Sequence, residues 1–262
     1  MKIYAGVDIT VKEEIEMNNQ ATIEKMNQMK LYGMAHAFKD TMETGMSKDF
    51  TADEMVAHLI DSEWEERRNR RLNRLIKLAR FRYNAYFEQI DFSISRNLDK
   101  NLILRFSNCS WVEKKQNIII EGPTGVGKSF LGTALGHQAC MYGFKVMYSN
   151  ALKLFSRLKM AKADGSYEKE LKKIEKKDVL VIDDFGMQHL DNQSRLSLLE
   201  IFEDRHGRKS TVIISQLPAS KWHEVIGDST IADAICDRII HSAFRIELKG
   251  ESVRKRYGDL EQ

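Results

Sequence analysis

The eight residues Gly122-Pro123-Thr124-Gly125-Val126-Gly127-Lys128-Ser129 constrain this chain more than any other feature, because they match the pattern GxxxxGK[ST] in full. They follow the apolar run 118–120 and precede a stretch that reads as helix, so strand, tight turn and helix come in the order a phosphate-binding loop needs. The glycines let backbone amides turn inward around phosphate oxygens, and the helix aims its positive end at the same charge. Lys128 is placed to neutralise the β- and γ-phosphates, and the Ser129 hydroxyl to ligate magnesium. Phe130, the next residue, completes the expected nucleotide-contacting stretch. The reading is a site for a nucleoside triphosphate with its metal, ATP and Mg2+.

A second element supports the first. Val179-Leu-Val-Ile-Asp183-Asp184 is a buried-strand pattern that delivers two carboxylates to a strand end, about sixty residues after the loop. Asp183 is expected to hold magnesium through water and Asp184 to orient or deprotonate the attacking water. A third apolar run, 211–215, ends in Ser215 and Gln216, where a polar side chain can meet the γ-phosphate or the water; a plain strand end is the alternative.

Around these motifs, strands are expected at 117–120, 144–148, 179–183, 211–215 and 244–248. Helices are expected at 128–142, 151–162, 193–206 and 231–241. Short continuous apolar runs alternating with helices are the signature of an α/β fold with a parallel sheet covered on both faces. Residues 18–92 instead read as helix throughout, which gives three parts: 1–17 unassigned and expected to be disordered, a helical domain over 18–95, and the α/β domain over 96–262. In the helical part, Thr51-Ala-Asp-Glu54 forms a capping box. Met55, Val56, Leu59, Ile60 and Trp64 follow at helical spacing, continued by Leu72, Leu75, Ile76, Ala79 and Tyr83, as an apolar packing stripe. Arg67, Arg70, Arg71, Arg74 and Lys77 fall on the opposite face.

Composition excludes several classes. The chain has 262 residues, 42% hydrophobic and 30% charged, with a net charge of only +3. No apolar run reaches the roughly 18 residues that span a bilayer, and the acidic start, with Asp8, Glu13 and Glu14, is not that of a secretory signal. Cys109, Cys140 and Cys236 form no CxxC pair, so they are expected to be free thiols of a reducing, cytoplasmic compartment. The charge is unevenly placed. Arg67, Arg68, Arg70, Arg71, Arg74, Lys77, Arg80 and Arg82 come with no acid among them, a local excess that suits a polyanion or else a solvated helix face.

Two further arginines stand out. Arg238, in Ile231-Ala-Asp-Ala-Ile-Cys-Asp-Arg-Ile239, has a helical phase that puts it within an apolar stripe, where an unpaired charge is costly. Its partner is either an acid of its own domain or, the sharper alternative, a neighbouring subunit's nucleotide, where such fingers contribute about 10³–10⁵ in rate. Arg254, in Gly250-Glu-Ser-Val-Arg-Lys-Arg256, either returns to the nucleotide or belongs to a solvated tail.

GPTGVGKS, VLVIDDFG, IISQLP, DRIIHSAF and GESVRKR, with Met29-Lys-Leu-Tyr-Gly-Met-Ala and Glu63-Trp-Glu-Glu-Arg-Arg upstream, together resemble the IstB-like transposition helper ATPases. These are relatives of the DnaC helicase loaders within the AAA+ superfamily. The resemblance covers about residues 18–257. It implies a five-stranded AAA+ core, assembly into a homo-oligomer on double-stranded DNA, and service to a cognate transposase. It assigns Lys128 and Ser129 to phosphate and magnesium, Asp183 and Asp184 to the Walker B pair, Gln216 to the sensor position, Arg238 to the arginine finger and Arg254 to the second sensor. Gln216 stands where asparagine is more usual, and Asp184 is shorter than the glutamate of most AAA+ proteins. The shorter acid implies slow hydrolysis, as in an ATP-gated clamp. Two alternatives share the loop: a DnaC-type helicase loader preferring single-stranded DNA, and a small-molecule kinase, which would need a lid insertion that the sequence does not display.

Overall fold

The computed structural model describes residues 5–46, 49–241 and 243–253. Two compact units divide the chain, Met1–Asn73 and Arg74–Gln262.

The first unit is helical. Helix α1 spans Ala5–Gln28 and takes in much of the stretch left unassigned from the sequence. Helix α2 spans Tyr32–Thr44 and α3 begins at Ala52 and runs to Ala79. The capping box is present: the Thr51 amide donates to Glu54 Oε2 at 2.9 Å, and the Glu54 amide to Thr51 Oγ1 at 3.4 Å. Helix α2 starts against α3 through a carboxylate. Glu63, only 6% exposed, accepts the Gly33 amide at 2.8 Å and the Met34 amide at 3.3 Å. These are orphan donors of a helix N-terminus, where a negative charge is also favoured by the backbone dipoles. A Cβ on Gly33 would stand 2.7 Å from Glu63 Cα, so only glycine lets the two helices approach this closely.

This contact corrects the expected packing face of α3. Leu59 is buried, but Val56 and Ile60 are each 54% exposed and Trp64 is 70% exposed. The inward face carries Met55, Leu59 and Glu63 instead, because the buried acid satisfying α2 must lie one step round the helix from Trp64. The helix also ends sooner than expected. Arg80 adopts φ +59°, a left-handed conformation that terminates α3, and only a short 3₁₀ turn, Phe87–Gln89, follows before residue 100.

In the second unit, α4 (Lys100–Phe106) and α5 (Ser110–Glu113) precede strand β1 (Asn117–Glu121) and helix α6 (Lys128–Met141). Strand β2 (Val146–Asn150), α7 (Ala151–Ala163), α8 (Tyr167–Glu175), β3 (Val179–Phe185) and α9 (Asn192–Arg205) come next. Strand β4 (Ser210–Ser215), α10 (Trp222–Ile226), α11 (Ser229–Ile240) and β5 (Ala243–Glu247) complete the described helices and strands. Every expected strand and helix of this half is present, most within two residues of its expected ends. The strands form one five-stranded sheet in the order β2-β3-β4-β1-β5, parallel at every pairing.

Alternation along the strands fills both faces. Ile119, Leu180, Ile182 and Ile213 join Leu154 and Leu158 of α7, Leu198 and Phe202 of α9, and Trp222 and Ile235 in one buried cluster. Each such fully buried side chain contributes about 1.5–3 kcal/mol. Ile120 and Ile214 turn the other way, against α6, where a Cβ on Gly132 would meet Ile214 Cδ1. Phe81 covers the same face, with its ring centroid 6.2 Å from that of Tyr148. Residues 74–95 belong to the same compact unit as the sheet. Among the described residues no helix is long and apolar enough to cross a membrane.

Candidate nucleotide site

Strand order sets the site. Strand β4 lies between β1 and β3, so the loop after β1, the acids ending β3 and the polar residues after β4 open at one edge, where ligands bind in such sheets. The loop is built on glycine. Gly125 and Gly127 have φ +88° and +93°, and a Cβ on Gly127 would lie 2.6 Å from a guanidinium nitrogen of Arg96. Val126 is fully buried beneath the loop. The C-terminal segment also returns here: the Val253 amide donates to the Gly125 carbonyl at 3.0 Å. Arg254 itself lies outside the described residues.

A cavity of about 520 Å³ opens over this edge. Thr124, Gly125, Gly127, Lys128, Ser129, Phe130, Asp184 and Gln216 line it, while Gly122, Pro123 and Val126 are not among its lining residues. Lys128 is 7% exposed and its ammonium donates to the Pro123 carbonyl at 2.7 Å. Thr124 Oγ1 donates to Gln216 Oε1 at 2.9 Å, so the strand-end glutamine touches the phosphate loop, while Ser215 turns away to the Leu217 carbonyl.

The two residues expected to serve magnesium face each other. Ser129 Oγ donates to Asp183 Oδ1 at 3.0 Å, and the Tyr148 phenol donates to Asp183 Oδ2. Asp183 is fully buried; that burial pushes its carboxyl above the usual range, although the Tyr148 and Ser129 donors oppose it. Burial raises the Tyr148 phenol too. A hydroxyl and a carboxylate converging on one point suit a hard divalent cation that keeps waters and takes phosphate oxygens for the remaining positions. Among the described residues no group of three or more His, Cys, Asp or Glu gathers as a metal site.

Asp184 sits at φ +58°, a conformation that turns its side chain away from the strand direction. Its Oδ2 accepts Asn150 Nδ2 at 2.8 Å and lies 3.7 Å from Arg82 Nη1. Asn150 works twice, since its Oδ1 caps α7 by accepting the Leu152 amide at 3.0 Å. Sequence reasoning missed Tyr148 and Asn150. A strand ending in a helix-capping asparagine was the available signal for the second. It also missed the wall formed by Tyr83, Asn84, Gln89, Asp91, Ile94 and Arg96. Tyr83, Asn84, Gln89 and Asp91 of that wall come from residues read as continuous helix, and Ile94 and Arg96 follow just after them. Arg96 is 6% exposed and its guanidinium donates to the carbonyls of Val126 at 3.3 Å and Asp91 at 2.9 Å.

Other expected residues lie elsewhere. Arg238 is not brought to the cavity. It pairs with Glu203 of α9, donates to the Ala234 carbonyl at 2.8 Å, and keeps 24% of its side chain exposed. Within one chain, then, the arginine has an acid of its own domain. Of the basic α3 residues, Arg67 donates to Glu63 at 2.6 Å and Arg70 pairs with Glu66 at 3.2 Å. Arg71, Arg74 and Lys77 are exposed. The three cysteines are buried free thiols, and burial pushes Cys109 and Cys140 up to about 12, which leaves them unreactive.

The parallel sheet, glycine loop and paired acids define a P-loop nucleotide-binding protein with an AAA+ core. The family model for the IstB-like ATP binding protein matches residues 24–259, and the chain belongs to that family. The putative insertion sequence ATP-binding protein y4pL of Sinorhizobium fredii is 42% identical over 234 residues, 89% of this chain and 96% of that one. The putative ATP-binding protein of insertion sequence IS1162 from Pseudomonas fluorescens is 38% identical over 205 residues, 78% of this chain and 89% of that one. Among solved structures, the DnaC helicase loader superposes with a TM-score of 0.50 at 21% identity, over 67% of this chain and 99% of that one, a likeness of fold.

Proposed function

We propose that this protein hydrolyses ATP with magnesium, assembles as a homo-oligomer on double-stranded DNA in the cytoplasm, and assists the transposase of its own insertion sequence in choosing a target. The observation that carries the proposal is the convergence of Lys128, Ser129, Asp183, Asp184 and Gln216 at one sheet edge, in a chain whose relatives are insertion sequence ATP-binding proteins.

In this reading Lys128 leaves the Pro123 carbonyl for the phosphates, and the loop amides hold the remaining oxygens. Ser129 and Asp183 hold magnesium, which when bound neutralises charge developing on the β- and γ-phosphates. Asp184 orients the attacking water and takes its proton, while Gln216 bridges loop and water. The side chain of Asp184, shorter than a glutamate's and already engaged by Asn150, fits slow turnover and a clamp-like role. Arg238 serves the neighbouring subunit's nucleotide and leaves Glu203 when the interface forms.

Imaging the protein with duplex DNA, magnesium and a non-hydrolysable ATP analogue tests the assembly. Ordered oligomers should form with the analogue and disappear in Lys128→Ala. Stronger binding to single-stranded than to double-stranded DNA would instead favour the helicase-loader alternative. Arg238→Ala should lose ATP turnover; an unchanged rate would remove the finger role.

A further inference from the structure

The geometry points to Arg82 as a γ-phosphate ligand supplied by the same chain, holding Asp184 when that phosphate is missing and turning to it when ATP is bound. The inference rests on the reading of the cavity as an ATP site. It adds a residue that discriminates ATP from ADP.

Arg82 belongs in sequence to the basic run of α3, but the left-handed turn at Arg80 separates it from the helix. Its side chain lines the nucleotide cavity with Lys128, Ser129, Asp184 and Gln216, and its guanidinium lies over the Tyr83 ring, 5.9 Å from the centroid. Nη1 is 3.7 Å from Asp184 Oδ2, the oxygen that already accepts Asn150 at 2.8 Å. A separation of 3.7 Å is longer than a hydrogen bond, and the arginine side chain is 54% exposed. The contact is therefore a loose, water-screened ion pair of the kind that contributes little.

A γ-phosphate arriving between Lys128 and Asp184 offers more. It carries more charge than one carboxylate and presents two oxygens to a planar guanidinium, the geometry in which arginine binds best. Asp184 keeps Asn150 as a partner when Arg82 departs, so it stays aimed at the strand end and loses only its cation. ADP provides no such oxygens, and Arg82 remains with Asp184. The swap gives Asp184 its free carboxylate edge only when there is a γ-phosphate to attack.

Equilibrium binding of a fluorescent non-hydrolysable ATP analogue and of the matching ADP, both with magnesium, tests this on the full chain. Arg82→Ala should weaken the ATP analogue about tenfold, the scale of one lost charge-assisted bond. ADP should change by less than about twofold, because no bond to it is removed. Arg82→Lys should recover part of the loss, since it restores the charge without the fork. Equal losses for both nucleotides, or none for either, would overturn the assignment. Faster hydrolysis in Arg82→Ala with an unchanged preference for ATP would also overturn it, leaving Arg82 as a restraint on Asp184. Lys128→Ala is measured alongside. If it binds both nucleotides normally, the ATP-site reading fails; if it binds neither while Arg82→Ala matches the parent, only the Arg82 role fails.

Discussion

Tyr148 donates its phenol to Asp183, the carboxylate that also accepts the Ser129 hydroxyl, so a residue of β2 fixes the acid of β3 that is placed to serve magnesium. Partners that orient a metal-serving group typically matter by about 10–100-fold in metal affinity or activity. Tyr148→Phe should therefore weaken magnesium-supported ATP binding by about tenfold or more. Binding measured in chelator, where Asp183 has no metal to serve, should change little. Titration of nucleotide with and without magnesium checks it, and equal effects in both would contradict it.

Gly127 leaves the space that Arg96 fills. Alanine there would face both a left-handed backbone and a guanidinium nitrogen 2.6 Å from its Cβ. Strain of this kind costs about 1–3 kcal/mol. Gly127→Ala should lower the melting temperature and abolish nucleotide binding, because the loop amides and Arg96 cannot both keep their places. Calorimetry together with nucleotide titration reads the two effects.

Glu63 ties stability to acid pH. Burial alone would raise its carboxyl, but Arg67 and the amides of Gly33 and Met34 outweigh burial and hold it below its ordinary value of 4.5. A carboxyl depressed by folding contributes stability that is present above about pH 4.5 and is lost as pH falls through the lower folded value. Glu63→Gln should lower the melting temperature at pH 7 and flatten its decline below pH 4.5, as followed by circular dichroism across pH.

Duplex DNA binding should depend steeply on salt if α3 contributes phosphate contacts. Arg70→Ala, Arg71→Ala and Arg74→Ala combined should weaken binding regardless of sequence and reduce the salt slope by roughly 2–3. Arg71 and Arg74 should account for most of it, because Arg70 is already shared with Glu63 and Glu66. Unchanged affinity in the triple variant, measured by fluorescence anisotropy, would take this helix out of the interface.

Local pattern carried much of this protein. The phosphate loop, the acids of β3, the capping box and the strand–helix alternation lie within short stretches, and each is set by backbone needs that neighbouring residues satisfy. Spacing could not choose the buried face of α3, because two apolar rows fit the same period. The choice fell to Glu63, whose partners are the amides of a helix thirty residues away. Nor could spacing reveal that Arg80 breaks the helix or that the segment behind it lines the cavity.

The sequence by itself determined that a triphosphate loop and a pair of strand-end acids exist in this chain. Tertiary structure decided what meets them: β4 between β1 and β3 brings Gln216 to Thr124, β2 beside β3 brings Tyr148 and Asn150 to the acids, and α11 against α9 gives Arg238 to Glu203. The physical reason is that local conformation answers to adjacent residues, whereas strand order and helix docking are fixed by burying apolar surface across long chain separations.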